Sequence, residues 1–399
     1  MDAPLIEFLS LLLRWLHLVA GIAWIGSSFY FIWLDHSLDP PPPGSDAAKK
    51  GVAGELWAVH GGGFYNPQKY AVAPGTLPDK LHWFKWEAYT TWLSGTALLV
   101  VAYWLRAQTM MIDPSVATLA PWQAIGIGAA SMVGSWVVYD ALCRSPLGRN
   151  EAWFGVVVFA LLALLAWGLG RAFGGRAAFM HVGSSIGTIM VANVFFVIIP
   201  GQRRMVDAMR AGRAPDPLDG MRGKQRSVHN NYFTLPVLFI MISNHHASTY
   251  GHRHAWAVLA LIALAGVAIR HFFNLRHKGV FAWPYLALGA TVLSATAWWT
   301  APRLTPLPRV EGPVTFDQVR SIVGRRCISC HSPMPTYPGT TQPPGGVLLH
   351  APEVLAVNAQ RVYQQVVATR VMPPGNVTQM TDYERAVIAA WVAGGAKMK

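Results

Sequence analysis

The chain has 399 residues, 53% of them hydrophobic and only 13% charged, with seventeen tryptophans. Soluble domains carry about 25% charged residues and indole rings favour membrane interfaces, so the composition excludes an ordinary soluble enzyme. The net charge of +13 is that of basic loops anchoring a membrane topology; no stacking or groove-reading motif accompanies it, which argues against nucleic acid as a partner.

Apolar runs long enough to cross roughly 30 Å of hydrocarbon occur eight times: Phe8–Leu34, Ala88–Leu105, Trp122–Leu142, Ala152–Phe173, Phe179–Ile199, Tyr232–Tyr250, Ala255–Asn274 and Phe281–Ala301. The sixth is the most polar, because it contains Ser243, Asn244, His245 and His246. The first run lacks a small-residue cleavage site and reads as a retained span rather than a signal peptide. The expected architecture is all-α: an eight-helix transmembrane bundle over residues 1–301, a Pro-rich linker over 302–313 and a small cytochrome-like domain over 314–399.

In chain order, the first run carries His17, with Arg14 one turn earlier. Ionisable groups inside spans are functional by default. His181 opens the fifth run, and His245 and His246 close the sixth. All four fall at one level of the bundle, where facing imidazoles can ligate a b-type haem. The alternative for each is a hydrogen bond to a neighbouring helix. "LRWLHLVAGIAWIG" resembles the first helix of the haem-binding membrane protoporphyrinogen oxidases.

The loop after the first run is long, and long ordered loops tend to be functional. It holds "HGGGFYNPQKY" and "LHWFKWEAYTTW", with His60, His82, Lys85 and Glu87 and the rings of Trp83 and Trp86. A plainer account of the second stretch is an interfacial helix with aromatic anchors. On the same side lie His229, Asn230 and Asn231 of "SVHNNYF", and Arg270, His271 and Asn274 at the end of the seventh run. A cation, stacking rings, amides and a base are the groups a substrate site can be built from. From this set His60, His82, Lys85, Glu87, His229, Asn230 and His271 are the candidate catalytic residues.

Basic residues divide unevenly between alternate loops. Sixteen lie on one side, from Lys49 to Lys278, and four on the other: Arg106, Arg171, Arg176 and Arg253. Positive loops stay inside, so both termini are expected outside, in the periplasm of a bacterial inner membrane.

Of the three cysteines, Cys143 ends an apolar helix and reads as an inert core residue. Cys327 and Cys330 belong to "RRCISCHSPMP", the Cys-x-x-Cys-His signature of covalent haem attachment. His331 is then the proximal ligand. Met372 of "RVMPPGN", 41 positions later, is the distal one; a Met/His pair raises the potential and suits electron transfer. Met334 lies too near His331 to cross the ring, and Met380 is a weaker alternative. Zinc would require further ligands at matching spacing. "TFDQVRSIVGRRC" before the motif, and "TDYERAVIAAWVAGG" with its stripe at Val387, Ile388 and Trp391, resemble the packed terminal helices of class I cytochromes c.

These features together resemble the bacterial membrane-bound urate hydroxylases of the PuuD type. The resemblance rests on "RWLHLVAGIAWIGSSFYFIWLD", "HGGGFY", "LHWFKWEAYTTWLSG" and a C-terminal CxxCH/MPPGN unit, and it covers essentially the whole chain. It implies oxidation of urate to 5-hydroxyisourate in purine breakdown. Electrons would pass to the chain's own haem c, and then to a terminal oxidase or another cytochrome. The residues alone leave two other readings open: a membrane oxidoreductase acting on another small reductant or a quinol, and a haem-bearing electron conduit for a separate dehydrogenase.

Overall fold

The computed structural model describes residues 3–301, 306–337 and 343–398. The chain is mostly helical. The long helices of the first part are α1 (Ala3–Ser37), α2 (Trp86–Ala102), α3 (Pro121–Arg144), α4 (Glu151–Leu169), α5 (Gly175–Ala192), α6 (Ile199–Arg210), α7 (Pro217–Ser243), α8 (Ala255–Arg276) and α9 (Trp283–Thr300). Among the described residues five stretches are long and apolar enough to cross a membrane: Phe8–Ser37, Pro121–Arg144, Glu151–Leu169, Gly175–Arg210 and Ala255–Arg276. They mark the chain as a membrane protein. Exposed tryptophans at helix ends, Trp86, Trp122, Trp153, Trp283 and Trp298, stand where an aromatic belt would.

The other three expected spans are also helical, but they fall short of that length and apolarity. Helix α2 has 17 residues, α9 is rich in Trp and Thr, and α7 opens with a charged and amide-rich half. The sixth expected span needs a correction. The helix does not run from Tyr232 to Tyr250; it begins at Pro217, ends at Ser243 and is followed by a separate turn at Ala247–Tyr250. Asp216 caps it by accepting from the Leu218 N–H, a local signal that starts a helix well before its apolar half.

Helices α1 and α2 pack together, as do α8 and α9, while α5 lies against α2, α3, α4 and α7. That central place explains why α5 is buried over most of its length, with Phe179, His181, Ser185, Ile189 and Met190 all enclosed. Two prolines shape the core. Pro200 has no N–H for the carbonyl four residues back, and a π-helical turn, Asn193–Ile198, joins α5 to α6 just before it. Pro236, inside α7, likewise leaves the Tyr232 carbonyl without its helical donor. Gly266 of α8 faces this break: a methyl there would stand 3.2 Å from Leu235 Cβ.

The expectation of an all-α fold is corrected in the first loop. Strands β1 (Val52–Glu55) and β4 (Gln68–Tyr70) pair antiparallel, and β2 (Ala58–His60) and β3 (Gly63–Tyr65) form a hairpin inside them. Gly61 and Gly62, with φ +57° and +81°, supply the hairpin's turn, which other residues adopt at a cost.

Of the expected linker, residues 302–305 lie outside the described residues; 306–313 are without regular structure. The rest of the chain has its own apolar cluster, built on α10 (Phe316–Arg326) and α11 (Asp382–Ala393). Both helices start in a reciprocal cap, Thr315 with Gln318 and Thr381 with Glu384. Val319, Val323, Val387, Ile388 and Trp391 are buried between them, and the rings of Phe316 and Trp391 stand 5.9 Å apart.

Candidate functional site

In the C-terminal unit, α10 runs directly into the cysteine motif. The Cys327 N–H donates to Val323 O at 2.8 Å, and the His331 N–H to Cys327 O at 2.9 Å. Cys327 is buried, and Cys330 and His331 are half-buried. His331 Nδ1 lies 2.9 Å from Val347 O. A carbonyl can only accept, so Nδ1 carries the proton and Nε2 is the nitrogen left to ligate. Met372 packs against the same apolar cluster. Its N–H donates to Gln365 O at 3.0 Å, and its carbonyl accepts from Arg385 Nη1 at 2.9 Å. Met380 is buried, with its backbone clasped by Asn376, whereas Met334 is 84% exposed.

A second set of groups surrounds a cavity of about 450 Å³ at the end of the bundle where α1 and α8 finish. That volume lies within the range of about 300–1,000 Å³ usual for small-molecule sites. Helix α1 contributes Ile32, Asp35 and His36; α7 contributes Lys224, Val228 and Tyr232; α8 contributes His271, Asn274 and Leu275, with Lys278 just beyond it. Tyr232 Oη and His271 Nδ1 are 2.7 Å apart, and their rings stack. Asp35 pairs with Lys224 at 3.1 Å and with Lys69 of β4, so the strand loop is tied to the cavity wall.

Behind that wall, Asn231 Oδ1 accepts from Arg270 Nε at 2.9 Å and from Asn274 Nδ2 at 3.0 Å. Asn231, Arg270 and Asn274 are 0%, 5% and 6% exposed. Asn231 Nδ2, Arg270 Nη2 and Asn274 Oδ1 have no hydrogen-bond partner, nor do His36 Nδ1 and His277 Nδ1 nearby. Among the described residues only one other buried side-chain atom is in that condition, Ser329 Oγ in the C-terminal unit.

The opposite face of α7 carries a different network, and this one is closed. His229 bridges Tyr139 Oη (2.7 Å) and Glu151 Oε2 (2.9 Å). Asn193, placed by the π-helical turn, donates to Asn230 Oδ1 at 2.8 Å and to Tyr139 Oη at 3.2 Å. Arg226 reaches Asp140 at 2.7 Å and Asn193 Oδ1 at 3.3 Å. Cys143 lies 4.0 Å from His229 and packs on the core. Adjacent residues of one helix thus serve two sites, because 100° per residue turns Asn230 and Asn231 to different neighbours.

The structure therefore divides the expected catalytic residues. His271 lines the cavity, and His229 and Asn230 belong to the closed network. His60 is exposed at the end of β2, and His82 is exposed against Phe84. Lys85 lies over the Trp86 ring just before α2, whose first turn holds Glu87. None of these four lines the cavity; the loop reaches its wall through Lys69 of β4, which pairs with Asp35. Asp35, His36, Lys224 and Tyr232 were not singled out in the sequence. Their signal was present as a helical stripe: Lys224, Val228 and Tyr232 recur every four residues, and His271, Asn274 and Lys278 every three or four.

Of the four histidines expected at one level, His17 and His181 have separate partners. His17 Nδ1 meets Thr91 O at 3.0 Å and Ser94 Oγ at 3.3 Å on α2. His181 is completely buried, with Nδ1 on Ala177 O and Nε2 accepting from Trp104 Nε1 at 3.1 Å. Both its nitrogens are engaged, so helix-to-helix hydrogen bonding is its role in this structure. His245 and His246 are exposed after α7. No cluster of three or more His, Cys, Asp or Glu that could hold a metal occurs among the described residues.

Compared with known proteins, the chain finds no match among curated sequences or solved structures. A family model does match it: the one described as urate oxidase N-terminal covers residues 3–301, the whole of the helical part that contains the cavity, and the chain belongs to that family.

Proposed function

We propose that this protein is a membrane-bound urate hydroxylase that carries its own electron acceptor, a c-type haem, on its C-terminal unit. Urate would be converted to 5-hydroxyisourate: one oxygen enters from water, and two electrons and two protons leave. Family membership over residues 3–301 supports the substrate. The observation that carries the electron-transfer half is the arrangement at His331, whose Nδ1 is committed to the Val347 carbonyl next to two cysteines on one turn.

These residues fit the haem. Cys327 and Cys330 would hold it covalently, His331 Nε2 and Met372 Sδ would be its iron ligands, and Arg385 holds the Met372 backbone in place. When bound, such a group supplies a one-electron acceptor with a potential raised by its Met/His ligation. The excess of basic residues in alternate loops puts the cavity on the cytoplasmic side and the C-terminal unit on the periplasmic side of a bacterial inner membrane. There a terminal oxidase or another cytochrome would collect the electrons. A b-type haem near His17 would shorten the path. His17 Nε2 is the ring nitrogen with no partner among the described residues.

The test is an anaerobic reduced-minus-oxidised spectrum of membranes containing the protein, before and after urate. A c-type α-band on urate addition is the expected result. A band that dithionite elicits and urate does not would sink the substrate and leave an electron conduit.

A further inference from the structure

Arg270 is a buried cation with no carboxylate. It is 5% exposed, its Nε is bonded to a neutral amide, and its guanidinium lies 3.8 Å over the Phe29 ring. Among the described residues it forms no ion pair. Buried charges are ordinarily paired, because an unpaired charge is costly to hold away from water. Arg226, at the same depth on the other face of α7, obeys the rule through Asp140. Arg270 departs from it, and the departure sits beside the cavity: its charge acts on His36 in the cavity wall, as do those of Lys224 and Lys278. One wall carboxylate, Asp35, is already shared by two lysines.

The orphaned atoms are not of one kind. Arg270 Nη2 and Asn231 Nδ2 donate, and Asn274 Oδ1 accepts. Of the three residues Asn274 lines the cavity, while Arg270 and Asn231 stand behind it, joined through Asn231 Oδ1. With Lys224 and Lys278 in the wall, this surrounding suits a planar ring that alternates carbonyl and N–H groups and carries negative charge. A quinol or other lipid-like reductant offers neither the charge nor the alternation. The stacked Tyr232–His271 pair completes the surroundings with an aromatic face and an imidazole in reach of a proton.

From this we infer that the cavity between α1, α7 and α8 is the substrate site, and that it takes an anionic oxopurine whose charge answers Lys224 and Lys278 in the wall and Arg270 behind it, and whose polar edge meets Asn274. The inference rests on the urate reading and places it, since neither the family match nor the sequence motifs located the site.

Two variants of the full-length protein in detergent test it, with anaerobic binding of radiolabelled urate as readout. Arg270→Gln keeps donors but removes the charge, and Val228→Trp fills the cavity with apolar atoms while sparing every polar group named. Covalent haem content and the size-exclusion profile report folding for each. With both preserved, Arg270→Gln is expected to weaken urate binding at least about 30-fold, the measure of a severed buried charge pair, and Val228→Trp to abolish it. Wild-type affinity in either well-folded variant overturns the site while leaving urate oxidation intact. Wild-type protein that binds no urate overturns the substrate reading, and the site with it. Should Arg270→Gln fail to fold, Val228→Trp decides alone.

Discussion

Glu384 shows how much of the C-terminal unit hangs on single side chains. Its carboxylate takes the Arg326 guanidinium at 3.0 and 3.1 Å and caps α11 through the Thr381 N–H at 2.8 Å. Burial pushes this carboxyl up, but the Thr381 backbone and Arg326 outweigh burial and hold it below the ordinary range. A carboxylate depressed in the folded state contributes stability above its unfolded value, about 4.3, and that contribution is lost as pH falls through the folded one. Thermal unfolding of the full-length protein, followed by tryptophan fluorescence, should therefore keep the Glu384 contribution from pH 7 to 5 and lose it below about 4. Glu384→Gln should lower stability at pH 7 by about 1–3 kcal/mol and flatten the acid limb; an acid limb unchanged by the substitution would contradict the assignment. At this scale the sequence was legible where chemistry imposes spacing, as at Cys327, Cys330 and His331. It was silent on Arg385, 13 positions after the Met372 carbonyl that it holds, because a charge on an amphipathic helix does not announce its partner.

Between elements, contact depends on what is absent. Gly128 on α3 lets α5 approach so closely that a methyl there would stand 2.6 Å from His181 Nε2 and 3.6 Å from Trp104 Nε1. Gly134, on the same helix, faces open space. Gly128→Ala should thus displace the buried His181–Trp104 hydrogen bond and cost about 1–3 kcal/mol. Gly134→Ala should be neutral or slightly stabilising, as Ala favours helix over Gly by about 1 kcal/mol. Thermal stability of the two purified variants, compared side by side, checks this; equal behaviour would mean that α3 and α5 do not pack as described. Helix positions were readable from the apolar runs. Helix starts were less so, as α7 shows: its polar first half is a helix because α6 and the π-helical turn cover one side of it, and no apolar run marks that.

For the whole molecule, the direction of the chain through the membrane is the consequence with most at stake. The charge bias of the loops is the basis for proposing that the cavity faces inside and the C-terminal unit outside. A reporter that is active only in the periplasm should work when fused after the last residue and fail when inserted in the loop at Gly61 or Gly62; the reverse pattern would separate the cavity from cytoplasmic substrate. The sequence by itself determined the membrane character and most helix positions, because hydrocarbon thickness sets run length, and its cysteine spacing is what the haem proposal starts from. Only the tertiary structure revealed the cavity between α1, α7 and α8. Its walls come from three helices far apart in sequence, and its diagnostic feature is a set of donors and acceptors without partners. Whether a buried group is satisfied is a property of the packed neighbours, not of any one stretch of chain.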